Sequence, residues 1–293
     1  MEKLLQWAVN NTDQNALAEQ ANAIRRGEAK PDPSRYDPKV LEAILGKDDA
    51  TRMKEAVACI SDPEDTVKNK EIALDNLELL IEGIDNAMNI ENMKLWPAII
   101  AELHSEHPTV RKGCAWVCGT ACQNNPKAQK AFLSHDGLKP LLSLLTDEDP
   151  AVRNKALYAV SGFLKHFEEG VEAFKALNGL ESLHDILKCA TTDPAMLRKI
   201  VFLYNSLVFD DEELSKKLVQ DGTLDDLVRV LVKYTKEEED EDMVEKALRT
   251  IHSLIVKSKT PISAELKQHI EEAKQKYGAE NLGLVDSEWK DLL

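Results

Sequence analysis

One internal echo limits what this chain can fold into. Pro108-Thr109-Val110-Arg111 is answered 42 residues later by Pro150-Ala151-Val152-Arg153. The same step carries Phe132 to Phe174, Gly137-Leu138 to Gly179-Leu180, Leu141 to Leu183 and Leu145 to Leu187. A looser copy opens at Asp193-Pro194 and reaches Gly222-Thr223-Leu224. A unit of this size cannot close a core alone, so successive copies must stack and complete one another's apolar faces. The function expected of such a stack lies in an extended surface, not in a catalytic pocket.

Within a copy the pattern is helical. Val152, Ala156, Val160 and Phe163 form one stripe, widened by Leu157 and Leu164. Asp149 stands where it can cap that helix, and Pro150 sits where a missing N–H costs nothing. A second helix around Val171 to Leu177 ends at Asn178-Gly179, where glycine is expected to take the left-handed cap geometry. Leu180, Leu183, Ile186 and Leu187 mark a third. An earlier unit opens at Asp62-Pro63 and runs from Val67 to Ile84, followed by a helix from Ile90 to Leu103. The last copy spans Met243 to Val256, and a charged helix from Ser263 to Tyr277 is expected to cap the stack. These features predict an all-α fold, an armadillo/HEAT-type right-handed helical solenoid. Residues 1–38 are polar and end in Pro31-Asp32-Pro33-Ser34-Arg35-Tyr36-Asp37-Pro38, which breaks any helix. They are read as a mobile N-terminal arm and linker, and residues 39–293 as the repeat domain with its capping helices.

Charge narrows the choice of partner. Lys and Arg number 37 against 52 Asp and Glu, a formal charge of -15. Binding to nucleic acid or to anionic lipid draws on clustered cations, so neither is expected, and a protein is the expected partner. No run approaches the roughly 18 apolar residues of a membrane span, and Met1 to Trp7 lacks the pattern of a secretory signal. Five cysteines do not form an even disulfide framework. Cytoplasmic location is expected. The acidic run Glu237 to Asp242 has two readings: a docking site for a basic partner, or a solvated loop favouring the next helix N-terminus, and the second is preferred.

Sites for chemistry are sparse. The chain has no GxxxxGK[ST], GxGxxG, HExxH or CxxC string. Cys114, Cys118 and Cys122 share one predicted helix, where packing accounts for them better than metal ligation does. His104 and His107 read as surface residues near a turn. Neither an enzyme activity nor a cofactor or metal is expected. The asparagine ladder with which armadillo proteins grip extended peptides is also missing: Trp116 stands with Thr120, Tyr158 with Gly162 and Arg249 with Ser253, and Asn205 offers one rung. A folded partner therefore suits the concave face better than a peptide.

Specific strings sharpen this reading. They are Met1-Glu2-Lys3-Leu4-Leu5-Gln6-Trp7, Asp75-Asn76-Leu77-Glu78-Leu79-Leu80-Ile81-Glu82 with Ile84-Asp85-Asn86-Ala87 and Asn89-Ile90-Glu91-Asn92, Gly119-Thr120-Ala121 with Gln123-Asn124-Asn125, and Val152-Arg153-Asn154-Lys155-Ala156-Leu157-Tyr158-Ala159. Together they resemble the fungal cytosolic armadillo-type nucleotide exchange factors for 70-kDa heat-shock chaperones. The likeness covers nearly the whole chain, least at 26–38 and after Val256.

The resemblance implies that the solenoid embraces the chaperone's ATPase domain, opens its nucleotide cleft, speeds ADP release and so frees client during protein folding. Such a factor binds no nucleotide directly. It also implies a client-release role for the arm, through Leu4, Leu5 and Trp7. By motif position Ala87 and Arg198 match family contact positions, and Asn86, Asn89, Tyr158 and Lys155 are further candidates for the concave face. Helix capping is the competing reading for Asn86 and Asn89, and core packing for Tyr158. The pair Ala87→Arg with Arg198→Ala is expected to abolish exchange with the helical signal kept. The alternative to an exchange factor is a passive armadillo-repeat scaffold or adaptor for a folded protein.

Overall fold

The structure is a computed structural model that describes residues 13–30, 46–189, 192–209 and 211–293. All elements among these residues are helices. The chain divides into two compact units, Met1–Arg52 and Met53–Leu293. In the first, α1 (Gln14–Arg25) is capped by Asp13, whose carboxylate accepts from the Asn15 and Ala16 amides. Leu4, Leu5, Trp7 and the proline-rich stretch 31–38 lie outside the described residues. The second unit begins within α2 (Asp49–Ser61), which buries Met53, Ala56, Val57 and Ile60.

From there the helices recur in threes: α3 (Val67–Ile81), α4 (Ile84–Asn92), α5 (Trp96–Ala101); α6 (Pro108–Cys122), α7 (Pro126–Ser134), α8 (Leu138–Ser143); α9 (Pro150–Leu164), α10 (Glu168–Ala176), α11 (Gly179–Lys188); α12 (Pro194–Val208), α13 (Glu212–Gln220), α14 (Thr223–Lys236). Then come α15 (Glu241–Ser258), α16 (Ala264–Tyr277) and α17 (Asp286–Leu292). The first helix of each triplet packs on its counterpart in the next, so α3, α6, α9, α12 and α15 form one ladder. This is the stacking that the 42-residue step requires.

The repeated pairing of Phe132 with Gly137 and of Phe174 with Gly179 has a steric cause. A Cβ on Gly137 would lie 2.2 Å from the Phe132 ring, and one on Gly179 would lie 2.3 Å from Phe174. Each glycine makes room for a fully buried phenylalanine. The left-handed turn expected at Gly179 falls one residue earlier, on Asn178 (φ 58), and its counterpart falls on Asp136 (φ 56). Asn and Asp tolerate that region, so the glycine is free to serve packing. The rings then join across repeats, Trp96 to Phe132 at 5.3 Å and Phe132 to Phe163 at 5.5 Å between centroids.

Other local expectations fare unevenly. Asp149 caps α9 by accepting from the Ala151 amide at 2.7 Å. The helix expected from Ile90 to Leu103 is instead two, α4 and α5, because Lys94 turns left-handed (φ 60) between them. At the carboxy-terminal end α16 buries Leu266, Ile270 and Ala273, and the unforeseen α17 adds Trp289 and Leu292.

The ladder's closest joint is α6 on α9. A Cβ on Gly119 would meet the Tyr158 ring at 2.6 Å and the Ala159 Cα at 2.9 Å. A side chain can yield, but the backbone can do so only if the helices part. Gly119→Ala is therefore expected to lower stability by about 1–3 kcal/mol, read as an earlier urea midpoint with an unchanged slope; an unshifted midpoint would contradict this packing.

Candidate functional site

The surface of the ladder is built from equivalent positions on successive helices. Trp116 on α6, Tyr158 on α9 and Phe202 on α12 follow one another at steps of 42 and 44 residues. Trp116 and Tyr158 are half-buried, and Phe202 is 55% exposed. Phe209 and Val256 extend the exposed apolar positions at the carboxy-terminal end.

Cations are interleaved with this aromatic row. Lys155 Nζ stands 3.3 Å from the centroid of the Trp116 ring and 5.6 Å from that of Tyr158, within the range of attraction to a ring face. Burial lowers the Lys155 pKa; Glu78 opposes the shift, and the neighbouring Lys199 and Lys112 add to it. Lys199 is also held below its ordinary value, chiefly by burial. Lysines thus lie on successive helices of the ladder in a protein with net charge -15: Lys112 stands 3.8 Å from Glu71, Lys199 donates to Asn154 Oδ1 at 3.0 Å, and Lys155 stacks on the rings.

A polar network fixes the row from beneath. Thr120 Oγ1 donates to Glu78 Oε1 at 2.8 Å, which joins α6 to α3, and the Tyr158 hydroxyl donates to Gln123 Oε1 at 3.0 Å. Glu78 is only 8% exposed, so the Thr120 bond meets part of the cost of burying a carboxylate. Asn205 spends its amide oxygen on Ser253, at 2.7 Å.

The sequence candidates fall into two groups. Lys155, Tyr158 and Arg198 stand on ladder helices, with Lys155 and Tyr158 side by side. Asn86, Ala87 and Asn89 stand on α4, which packs on α7 in a different row. Asn86 Nδ2 donates to the Leu80 carbonyl at 2.9 Å, and Asn89 Oδ1 accepts from Asn92 at 2.9 Å. Ala87 is 2% exposed, so its methyl group is core. Arg198 is engaged by Asp240 and by Asp242. Trp116, Lys199, Phe202 and Phe209 were absent from the candidates. The step linking Trp116, Tyr158 and Phe202 was the signal that could have found the aromatic row.

The cysteines belong to the packing. Cys114, Cys118 and Cys122 are at most 1% exposed, and burial pushes each thiol well above its ordinary range. Cys59 is pushed up to about 11 by burial and by its hydrogen bond to Asp65. No helix among the described residues is long and apolar enough to cross a membrane.

Known proteins match this chain along most of its length. The family described as nucleotide exchange factor Fes1 covers residues 1–90, and the SIL1/FES1/HPBP1 C-terminal domain covers residues 86–229. The Hsp70 nucleotide exchange factor fes1 of Schizosaccharomyces pombe is 35% identical over 266 residues, 90% of this chain and 88% of that one. The Saccharomyces cerevisiae Hsp70 nucleotide exchange factor is 35% identical over 267 residues, covering 87% and 86%. Among solved structures, a designed armadillo repeat protein in complex with the peptide (KR)4 superposes with a TM-score of 0.63 at 18% identity, covering 82% of this chain and 96% of that one. The armadillo repeats only protein from Plasmodium falciparum gives 0.58 at 12%, covering 71% and 98%. Both structural likenesses concern the fold.

Two outcomes test this geometry. Ala87→Arg forces a long cation into a closed core and is expected to cost about 3 kcal/mol or more; a wild-type thermal midpoint would contradict the burial. A thiol reagent at neutral pH is expected to modify exposed Cys189 quickly and Cys59 slowly, with Cys114, Cys118 and Cys122 reacting only after denaturation. Fast labelling of any of those three in the folded protein would overturn their placement.

Proposed function

The chain belongs to the Fes1 family of nucleotide exchange factors, and from that premise we propose that it binds the ATPase domain of a cytosolic 70-kDa heat-shock chaperone, accelerates ADP release and thereby frees client. The observation that carries this is the family match across both halves of the chain, and the continuous ladder with its lysine and aromatic row supports it. The protein needs no catalysis of its own. It must bind the open, nucleotide-poor chaperone more tightly than the closed one, and each 1.4 kcal/mol or so of that difference shifts the equilibrium about tenfold.

The ladder lysines suit an acidic patch on the chaperone, and Trp116, Tyr158 and Phe202 supply rigid apolar contacts beside them. Lys155 and Tyr158 are proposed as direct contacts. For α4 the proposal moves from the Ala87 methyl to Asn86 and Asn89 around it. Residues 1–38 are proposed as an arm that helps to expel client through Leu4, Leu5 and Trp7, and residues 39–293 as the exchange domain.

Chaperone loaded with labelled ADP provides the test. Adding the full chain is expected to raise the release rate severalfold or more, and Lys155→Glu is expected to raise the concentration needed for half the effect about tenfold. Complex formation with an unchanged release rate would make the protein a passive adaptor instead. Removing residues 1–30 is expected to leave ADP release intact while slowing client release; equal loss of both would contradict a separate arm.

A further inference from the structure

Two joints of the ladder are built alike. On α9, Asn154 Nδ2 donates to Asp193 Oδ2 at 3.2 Å, and Asp193 is the residue that caps α12. On α12, Arg198 takes the place of Asn154 one step later and pairs with Asp240, the residue that caps α15. Arg198 Nε also lies at ion-pair distance from Asp242 Oδ2, 2.6 Å, in the first turn of α15, though without hydrogen-bond alignment. A side chain in the first turns of one ladder helix thus grips the N-cap carboxylate of the next. Asp240 meanwhile accepts from the Met243 amide at 3.0 Å, so one carboxylate caps α15 and ties it to α12.

Two more carboxylates of the acidic run, Glu238 and Glu239, are held as well. Lys233 on α14 reaches Glu238 at 3.1 Å, and Lys276 on α16 reaches Glu239 at 3.0 Å. The run that the sequence offered as a docking site is therefore fastened to three helices. Arg198 is 31% exposed, and Asp240 25%. Two of the three guanidinium nitrogens face these carboxylates, which leaves little of the group to meet a partner.

We propose that Arg198 acts in nucleotide exchange as a positioning residue: it sets α15 against α12 through Asp240 and Asp242, and exchange depends on this joint, not on a guanidinium contact to the chaperone. The inference rests on the exchange-factor reading above. It explains how a residue at a family contact position can matter while its charge is already committed within the chain.

The test is ADP release from the chaperone, with the full-length wild-type chain as reference. Asp240→Asn with Asp242→Asn keeps a side chain able to cap α15 but weakens the ion pairs. The Asn pair is expected to raise the concentration for half-maximal release about tenfold, as much as Arg198→Ala does, and combining all three changes should add nothing further. A second variant reverses the polarity: Arg198→Glu with Asp240→Asn and Asp242→Lys is expected to regain most of the activity, which no direct arginine contact would permit. Wild-type exchange by the Asn pair, or no recovery in the reversed variant while its helical circular dichroism is unchanged, would overturn the proposal. Failure of the wild-type chain to speed release would instead remove the exchange-factor reading, and this proposal with it.

Discussion

The contact of one ladder helix with the next is what the rest of the second unit depends on. No triplet buries its apolar face alone, so α6 needs α3 on one side and α9 on the other. Gly119 and Gly162 let α6 and α9 approach closely: a Cβ on Gly162 would lie 3.1 Å from the Gly119 carbonyl oxygen. The rings of Trp96, Phe132, Phe163 and Phe167 form a chain across three repeats, tilted at the first pair and edge to face at the next two. The shorter helices then hang from the ladder, and the surface row of Trp116, Tyr158 and Phe202 inherits its spacing from it.

The repeat, its helical class and the cap at Asp149 were legible because each depends on residues close in sequence. The Gly137 and Gly179 positions were visible too, but their cause was not. It lies in rings several residues away, while the left-handed turn belongs to Asp136 and Asn178. Ala87 shows the same limit at the site. A motif match says which position recurs, yet a small residue on α4 gives no sign of whether it faces solvent or the core. The pairing of Arg198 with Asp240 spans 42 residues and follows only once α12 and α15 are adjacent.

Electrostatics connects this frame to function. The chain is acidic as a whole, but much of that charge is spent internally: Arg111 holds Asp147 at 2.7 Å and keeps its carboxyl below the usual range, and the run before α15 is tied to α12, α14 and α16. On the ladder Lys155 lies against the Trp116 and Tyr158 rings, with Lys199 held by Asn154 and Lys112 near Glu71. A surface of that kind can recognise a folded, acidic partner through shape and charge together. It can also favour one conformation of that partner, and differential affinity for two conformations is what shifts the equilibrium between them.

The central claim is that the ladder face meets the chaperone. Hydroxyl-radical footprinting reads it directly, since Trp, Tyr and Phe side chains oxidise readily when accessible. Adding the nucleotide-free ATPase domain is expected to protect Trp116, Tyr158 and Phe202 together, with exposed Leu177 at the end of α10 unchanged. Protection confined to α7, α10 and α13, with the three ladder aromatics oxidised as in the free protein, would contradict the account.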